Sequence, residues 1–280
     1  MAPTLRVVRH ANARAFLERA ESWLAAREID YGMALTSARN ARVDESRYEQ
    51  PVYWATIEEA GAIVGCAFRT PPYRLGVTAL TETAIAGLLV SVGDLYATLS
   101  GVSGPEPTAN VVAEAWCRVH GGKATVRFRQ RLYSLRALVP PARPPIGALR
   151  LATERDTDRV RDWSAEFVRE ARVEHVQSEF FVGLIRARQV YFWDDGQPRC
   201  LAAAIKHTPQ ASAIGVLYTP TKLRRHGYGT ATVAALSKQL FQNGARGCYL
   251  YADPDNTAVS RIVGGMGYQR VHDATDIDCA

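Results

Sequence analysis

Apolar and polar positions along the chain follow two periods, one typical of strands and one typical of helices. Short apolar runs such as Leu5–Arg9 and Cys248–Ala252 have the length of β-strands. Between such runs, apolar residues recur every three or four positions, as in residues 230–242, which predicts amphipathic helices. The second half of the chain repeats the order of these elements in the first half. The pattern therefore predicts an α/β (α+β) protein built by duplication, the alternative being two unrelated α/β domains.

A proline-rich segment divides the chain nearly in half. Residues 139–147 contain four prolines within six positions. Proline fixes φ and removes a backbone donor, so such a run favours a stiff, extended connector. The sequence therefore predicts one domain over residues 1–139, a linker over residues 140–147 and a second domain over residues 148–280.

Charge and composition narrow the class of protein. The 34 Lys and Arg residues exceed the 28 Asp and Glu residues, but the excess is scattered, so we expect no nucleic-acid partner and note that a modest positive bias suits an anionic small molecule. No apolar run reaches the length of a membrane helix, and the first residues lack a signal peptide's apolar core. We therefore expect a cytoplasmic protein without a membrane partner. The five cysteines show no CxxC spacing, which indicates buried thiols rather than disulfides or a metal site.

The most informative segment is a strand, a turn and a helix start in the second half. After the apolar strand at residues 213–218, the sequence RRHGYG at residues 224–229 leads into the helix at residues 230–242. The first backbone amides of a helix have no partner within the helix, and glycine lets an anion approach them closely. Beside three cationic side chains, this arrangement is typical of a phosphate-binding turn. Its spacing differs from both the Rossmann fingerprint and the Walker loop.

This turn resembles motif A of the GNAT N-acetyltransferase superfamily, [RQ]-x-x-G-x-[GA]. The sequence NTAVSRIVGGMGY at residues 256–268 resembles motif B, N-x-x-[AS]-x-x-[LI]-Y-x-x-x-G-[FY], and matches it at Asn256, Ile262, Gly267 and Tyr268. The ordered pair of motifs covers most of residues 213–268. The resemblance implies two GNAT-like domains, each a mixed and mostly antiparallel sheet flanked by helices, the second of which binds acetyl-CoA.

The resemblance also implies which residues bind acetyl-CoA, as a co-substrate and without a metal. The backbone of Leu217, Tyr218 and Thr219 would pair with the pantetheine arm, as an added strand does. Asn256 and Ser260, from the motif B helix, would face the pantetheine. The backbone amides of the turn would hold the pyrophosphate together with the Arg224 side chain. The turn residues in question are Arg225, His226, Gly227, Tyr228, Gly229 and Thr230.

Motif B departs from the family at one position that matters for catalysis. Many members carry there a tyrosine that protonates the leaving thiolate, and this chain has Val263. Ser260, one helical turn earlier, and the strand tyrosines Tyr218 and Tyr251 are the replacement candidates. The alternative, which we favour, is that no essential acid exists and the thiolate departs unaided.

The helix after the linker supplies the candidates for the acceptor side. In related tandem acetyltransferases the matching helix borders the acceptor amine. Here it carries an acidic stripe at residues 162, 166, 170 and 174. Glu170 is our choice for the carboxylate that takes the amine's proton, ahead of His175. The alternative for the whole stripe is a solvated helix face.

The first half lacks a comparable turn. After its strand at residues 71–80 the sequence is Thr81-Glu82-Thr83, and a glutamate there would repel a phosphate. We therefore expect residues 1–139 to form a degenerate GNAT-like domain without a cofactor of its own. Three arginines at residues 127, 129 and 131 alternate along one strand face, where they would either bind an anion or form an exposed sheet face.

These features predict an N-acetyltransferase that transfers the acetyl group of acetyl-CoA to an amine of a small molecule or peptide by direct attack. Two alternatives stay open. One is an acetyltransferase of the mycothiol-synthase kind, and the other is a catalytically inactive acyl-CoA sensor or partner-binding module, as Val263 would permit.

Overall fold

The computed structural model describes residues 5–171, 178–207 and 211–280, and the chain divides into two compact units. The first unit comprises Met1–Leu132 with Val271–Ala280, and the second comprises Tyr133–Arg270. These bounds differ from the expected ones at residues 139 and 148. Residues 133–147 belong to the second unit, and the end of the chain belongs to the first. The cause is strand pairing, since the last strand of the chain completes the sheet of the first unit.

The first unit begins with a strand, two helices and three strands, and then alternates helix and strand. These elements are β1 (Leu5–Arg9), α1 (Ala13–Ala25), α2 (Glu28–Val43), β2 (Tyr53–Glu59), β3 (Ala62–Arg69), β4 (Leu75–Val77), α3 (Glu82–Gly93), β5 (Gly101–Pro105), α4 (Glu106–His120) and β6 (Ala124–Leu135). The last strand of the chain, β12 (Gln269–Cys279), completes the unit.

The sheet of the first unit has the strand order β1-β2-β3-β4-β5-β12-β6. The pairs from β1 to β4 are antiparallel, as is β5 with β12, whereas β4 and β5 are parallel. Successive residues of β2 point to opposite faces, so that Tyr53 lies in the core under α3 and α4 while Trp54 packs with α1 and α2. The sheet is therefore covered on both faces.

The sequence pattern did not predict helix α2. Its buried side chains are mostly small, Ala34, Ala38 and Ala41 around Leu35, and the helix is kinked at Tyr31, where φ is −125° and ψ is 25°. Small residues allow close packing against α1 but leave only a weak apolar stripe in the sequence.

The arginine stripe of β6 is neutralised within the first unit. Arg131 makes a bidentate ion pair with Asp273 of β12, with distances of 2.8 and 2.9 Å. The other two arginines also face carboxylates, in the pairs Arg129–Glu106 and Arg127–Asp278. The stripe therefore binds the protein's own acids, which leaves the expectation of an anion-binding face without support.

The second unit repeats this order of elements. They are β7 (Ala148–Leu151), α5 (Thr157–Ala171), α6 (Ser178–Arg186), β8 (Val190–Asp194), β9 (Pro198–His207), β10 (Ser212–Tyr218), α7 (Tyr228–Gln242), β11 (Cys248–Ala252) and α8 (Thr257–Gly264). The strand order is β11-β10-β9-β8-β7, with β10 and β11 parallel and the other pairs antiparallel. Both units thus have a mixed, mostly antiparallel sheet flanked by helices, which confirms the predicted fold class.

A polar anchor fixes the start of α5, the helix with the acidic stripe. Arg150 of β7 bonds to Asp194 of β8 at 2.7 Å and to both carboxylate oxygens of Asp156 at 2.9 Å. Because of this arginine, the pKa of Asp156 is lowered to about 2. Asp156 also forms a capping box with Thr153. These bonds hold the helix against the edge of the sheet.

None of the helices in the described part of the chain is long and apolar enough to cross a bilayer.

Candidate functional site

Strand β10 pairs with β11 only at its beginning. The parallel register joins Ser212 to Cys248 and Ala213 to Tyr249, although β10 continues to Tyr218. On its other side, β10 stays paired with β9 as far as Tyr218 and Leu201. The second half of β10 is therefore outside the register with β11. Its backbone edge on that side is the one that the pantetheine arm was expected to use.

A bulge in β10 changes which side chains face which helices. Val216 has a φ of +52°, uncommon for a β-branched residue, and the register with β9 shifts between Gly215 and Tyr218. Before the bulge, Ile214 packs in the core beneath α7. After it, Leu217 lies on that face, whereas Val216 belongs to the core beneath α5 and α6. The bulge thereby places Tyr218 against Trp163 of α5.

The turn after β10 leaves the start of α7 open. The N-cap residue is Gly227, with a φ of +81° and no side-chain capping bond, and the first turn of the helix carries no acidic residue. Arg224, Arg225 and His226 are exposed beside it, and Arg225 also has a positive φ of +67°. Unpartnered amides, local positive charge and a glycine at the cap are the features that suit a phosphate group.

Arg224 lies at the turn but its guanidinium is directed toward the strand and α5. Its Nε donates to the Thr219 carbonyl at 2.8 Å, and its Nη2 lies 2.5 Å from a carboxylate oxygen of Glu170. His226 Nδ1 lies 2.8 Å from the Arg224 carbonyl oxygen, and its ring stacks on Tyr228. Arg224, which was expected to bind the pyrophosphate, therefore forms an ion pair with Glu170, which was expected to be the base.

The domain linker borders the same turn. A Cβ at Gly227 would lie 3.6 Å from Cδ of Pro145, and Trp193 Nε1 donates to the Ile146 carbonyl at 3.1 Å. The linker is thus held against the second unit, and one side of Gly227 faces proline.

The predicted residue Asn256 is the N-cap of α8, and the predicted residue Ser260 lies within that helix. The Asn256 side-chain oxygen caps its own helix by accepting from the Val259 amide at 3.2 Å. Ile262 of this helix lies beside Gly229, where a Cβ would approach it to 3.4 Å. Val263 is fully buried in the core beneath α7 and α8. The side chain at the position of the expected acid therefore lies among packed side chains.

A tyrosine that the sequence did not single out contacts Ser260. The hydroxyl of Tyr133, near the end of β6, lies 3.2 Å from Ser260 Oγ. Tyr133 shares the core of Val263 and is 8% exposed. Tyr251, the other candidate, is half-buried at the end of β11 and packs edge-on against Tyr249. No motif spacing would have indicated Tyr133, since it precedes the linker and reaches the site through the sheet.

Tyr218 lies between the two central carboxylates of the acidic stripe. Its hydroxyl is 2.5 Å from Glu166 Oε2 and 3.4 Å from Glu170 Oε1. The side chain is buried, and burial together with the two carboxylates raises the pKa of Tyr218. The phenol therefore stays protonated and donates. The alternative of a solvated helix face therefore does not fit Glu166, whereas Glu170 is exposed. Glu174 and His175 lie outside the described residues.

The cysteines take no part in this site. All five are free thiols, and four of them are buried. Burial raises the pKa of Cys66 and Cys248 to about 12 and that of Cys200 to about 11, which disfavours the nucleophilic thiolate. In the described part of the chain, no group of His, Cys, Asp and Glu side chains is arranged to hold a metal ion.

Comparison with known proteins agrees with the two motifs. The family described as FR47-like protein matches residues 194–276, which contain both of them. No curated protein sequence matches the chain.

Solved structures share the fold over the whole chain. A GNAT-family acetyltransferase from Colwellia psychrerythraea is 10% identical with a TM-score of 0.57, covering 99% of this chain and 100% of its own. A GCN5-related N-acetyltransferase from Sphaerobacter thermophilus is 15% identical with a TM-score of 0.58, covering 99% and 96%. A tandem GNAT protein from the clavulanic acid biosynthesis pathway is 13% identical with a TM-score of 0.51, covering 99% and 98%. The family match thus covers the part of the chain that holds both motifs, and these structures share the fold.

Proposed function

We propose that the protein is an N-acetyltransferase that moves an acetyl group from acetyl-CoA to an amine of a small molecule or peptide. The observation that carries this proposal is the open start of α7 beside an unpaired strand edge. Gly227 offers the helix amides without a side chain, and the neighbouring β10 edge runs toward the bulge at Val216. An elongated anionic thioester needs both features, one for its pyrophosphate and one for its amide-bearing arm.

The residues of the second unit fit acetyl-CoA as a substrate. The amides from Arg225 to Thr230 and the nearby cationic side chains would hold the pyrophosphate, and the backbone of Leu217–Thr219 would bind the pantetheine. Gly229 packs closely under Ile262, so the turn and α8 border the same space. Asn256 and Ser260 lie on that helix and would complete the arm's surroundings.

The reaction would be a direct attack of the amine on the thioester. Holding the two reactants side by side supplies much of the rate, and backbone amides beside the bulge can polarise the carbonyl. No covalent enzyme intermediate is needed, in agreement with the buried cysteines. The acceptor side would be the face of β10 under α5, where Tyr218, Glu166 and Glu170 meet.

One observation favours a second candidate, an acyl-CoA sensor without turnover. The position of the usual acid is a buried valine, Val263, so the leaving thiolate has no proton donor at the family's place. An acetyltransferase of the mycothiol-synthase kind would share the fold and differ only in its acceptor.

Acetyl-CoA binding and thiol release separate these functions. We expect acetyl-CoA to raise the melting temperature, because a ligand at a hundred times its Kd adds about 2.7 kcal/mol. A screen of primary amines, amino acids and peptides should then release CoA thiol, detected with a disulfide reagent. Binding without release for any amine supports the sensor, and the absence of binding overturns both.

A further inference from the structure

The two carboxylates around Tyr218 have different partners. Glu166 and Glu170 lie one turn apart on α5, facing the same phenol. Glu170 is also paired with Arg224, whose Nε bonds to the Thr219 backbone. This ion pair ties Glu170 to the turn. Glu166 lies closer to the Tyr218 hydroxyl than Glu170 does, and the phenol bonds to only one of the two carboxylate oxygens of Glu166.

Tyr218 is held firmly enough to orient a carboxylate. The side chain is 4% exposed, and its ring packs edge-on against Trp163 with a centroid distance of 6.2 Å. The Arg224 guanidinium lies 5.8 Å from the ring centroid. A buried phenol that donates to a carboxylate fixes its direction and leaves the second oxygen for another donor.

We infer that Glu166, oriented by Tyr218, is the residue that binds the acceptor as a primary ammonium ion and takes its proton. This inference rests on the proposed function. The acceptor is thus an amine that is cationic at neutral pH, recognised by a charge-assisted bond to Glu166. Tyr218 is a positioning residue, and Glu170 holds Arg224 rather than the acceptor's proton.

The step balances without a further reactant. One ammonium proton passes to the Glu166 carboxylate, which gives the amine its lone pair. That pair forms the N–C bond with the thioester carbonyl carbon, while the C–S bond breaks and its electrons leave with the CoA sulfur. The second amine proton is lost to solvent with product formation, and the Glu166 proton follows when the acceptor leaves.

The test compares Glu166→Gln with Asp162→Asn in the full-length protein. Asp162 belongs to the same stripe one turn earlier and is exposed, so its variant changes the helix charge equally. With 2-phenylethylamine or ethylamine as acceptor, we expect E166Q to lower kcat/KM by about 10²–10⁴-fold, the usual worth of a general base. D162N should stay within about twofold, and both variants should bind acetyl-CoA as the wild type does in calorimetry.

Fluorinated amines separate a chemical role from a structural one. The β,β-difluoro analogue of 2-phenylethylamine and 2,2,2-trifluoroethylamine are much weaker bases and need no proton removed before attack. E166Q should therefore lose less than about tenfold with these two compounds. An equal loss with fluorinated and unfluorinated amines means that Glu166 only supports the structure, and overturns the inference. Tyr218→Phe should also lower kcat/KM more for the unfluorinated amines than for the fluorinated ones, but by a smaller factor than E166Q.

The outcomes distinguish this inference from the proposed function. If the wild type acetylates one of these amines and E166Q matches D162N, the inference fails while the acetyltransferase stands. If E170Q shows the selective loss and E166Q does not, the base is Glu170 and the inference is again wrong. If the wild type binds acetyl-CoA but acetylates no amine in the screen, the proposed function fails and the inference with it.

Discussion

The two units contain the same strand–turn–helix segment in two different states. In each, a short parallel register joins the strand to its neighbour over two residue pairs, Leu75↔Val102 with Gly76↔Ser103 in the first unit and Ser212↔Cys248 with Ala213↔Tyr249 in the second. In each, the chain then turns into a helix, α3 or α7. The fold therefore offers the same opening twice, and side chains decide whether it can be used.

The first unit closes its opening. Thr81 caps α3 by accepting from the Ala84 amide, and Glu82 places a negative charge in the first turn. Beyond the register, the Val77 carbonyl lies so near Gly104 that a Cβ there would approach it to 2.4 Å. One of the first helix amides is satisfied and the strands stay close together, so the segment stabilises the fold and does not suit an anion.

The second unit keeps its opening. A glycine stands at the cap in place of threonine, the first turn has no acidic residue, and two exposed arginines and a histidine precede the cap. Glycine in place of threonine at a helix start costs only about a few tenths of a kcal/mol. Under the proposed function, the second unit is the binding site and the first is a scaffold, a difference set by a few residues at a helix start.

The largest effect should come from filling the open cap. Gly227→Val places a branched side chain where φ is +81° and where the pyrophosphate would approach. We expect the melting-temperature shift with acetyl-CoA to vanish, which at a hundred times Kd means the loss of about 2.7 kcal/mol of ligand stabilisation. Gly244→Val is the matched control, since Gly244 follows the other end of α7 with a φ of +95° and open space around it. A full shift in folded Gly227→Val protein contradicts the site assignment.

A smaller effect should follow from copying the acid of the first unit into the second. Tyr228→Glu introduces a carboxylate at the first position of α7, as Glu82 does in α3. We expect roughly tenfold weaker acetyl-CoA binding by charge repulsion, while the unliganded protein keeps its stability because a carboxylate suits a helix start. Tyr228→Gln removes the same hydrogen bond to Asp195 without the charge. Equal affinity of the two variants in calorimetry would show that the phosphate binds elsewhere.

Opening the first unit should not create a second site. Thr81→Ala with Glu82→Gln removes the cap and the charge, and should lower the free energy of unfolding by about 1 kcal/mol. Calorimetry should still give one acetyl-CoA per chain, because Val77 and Gly104 keep the strands together. A stoichiometry of two, in this variant or in the wild type, would mean that the first unit retains a usable opening.

The sequence predicted the elements near glycine-rich turns better than those built from small residues. The RRHGYG turn stands out because glycine and charge have direct backbone consequences, whereas the alanine-rich packing of α2 leaves no strong periodicity. The placement of β12 beside β5 also escaped prediction. Strands β6 and β12 have similar local patterns, and long-range ion pairs such as Arg131–Asp273 distinguish their neighbours.

The partners within the site were the least predictable part. Tyr218 was expected to contribute its backbone and was a candidate acid for the leaving thiolate. Its side chain instead meets Glu166, because the bulge at Val216 shifts the alternation of β10 by one residue. Gly215, directly before Val216, is the signal that could have indicated this bulge, since a glycine inside a strand pattern often marks one. Tyr133 and Ser260 meet only through sheet order, across many residues of sequence.

The smallest effects should be those on the leaving thiolate. The candidate hydroxyl groups for this step are those of Tyr133 and Ser260, which lie within hydrogen-bond distance of each other, and that of the half-buried Tyr251. A CoA thiolate is a weak base, so its departure into solvent needs little help. We therefore expect Tyr133→Phe, Ser260→Ala and Tyr251→Phe each to retain kcat within about tenfold of the wild type, a barrier change below about 1.4 kcal/mol.

Restoring the missing tyrosine would not test this point, because Val263 is fully buried and a larger side chain there would strain the core by about 1–3 kcal/mol. The informative measurement is kcat at saturating acetyl-CoA for the three variants, with acetyl-CoA affinity measured alongside. A thousandfold lower kcat with unchanged affinity in one variant would identify that hydroxyl as an essential acid. If that variant were Tyr133→Phe, the second unit would owe its chemistry to a strand that begins in the first, and the division into a scaffold and a binding unit would no longer hold.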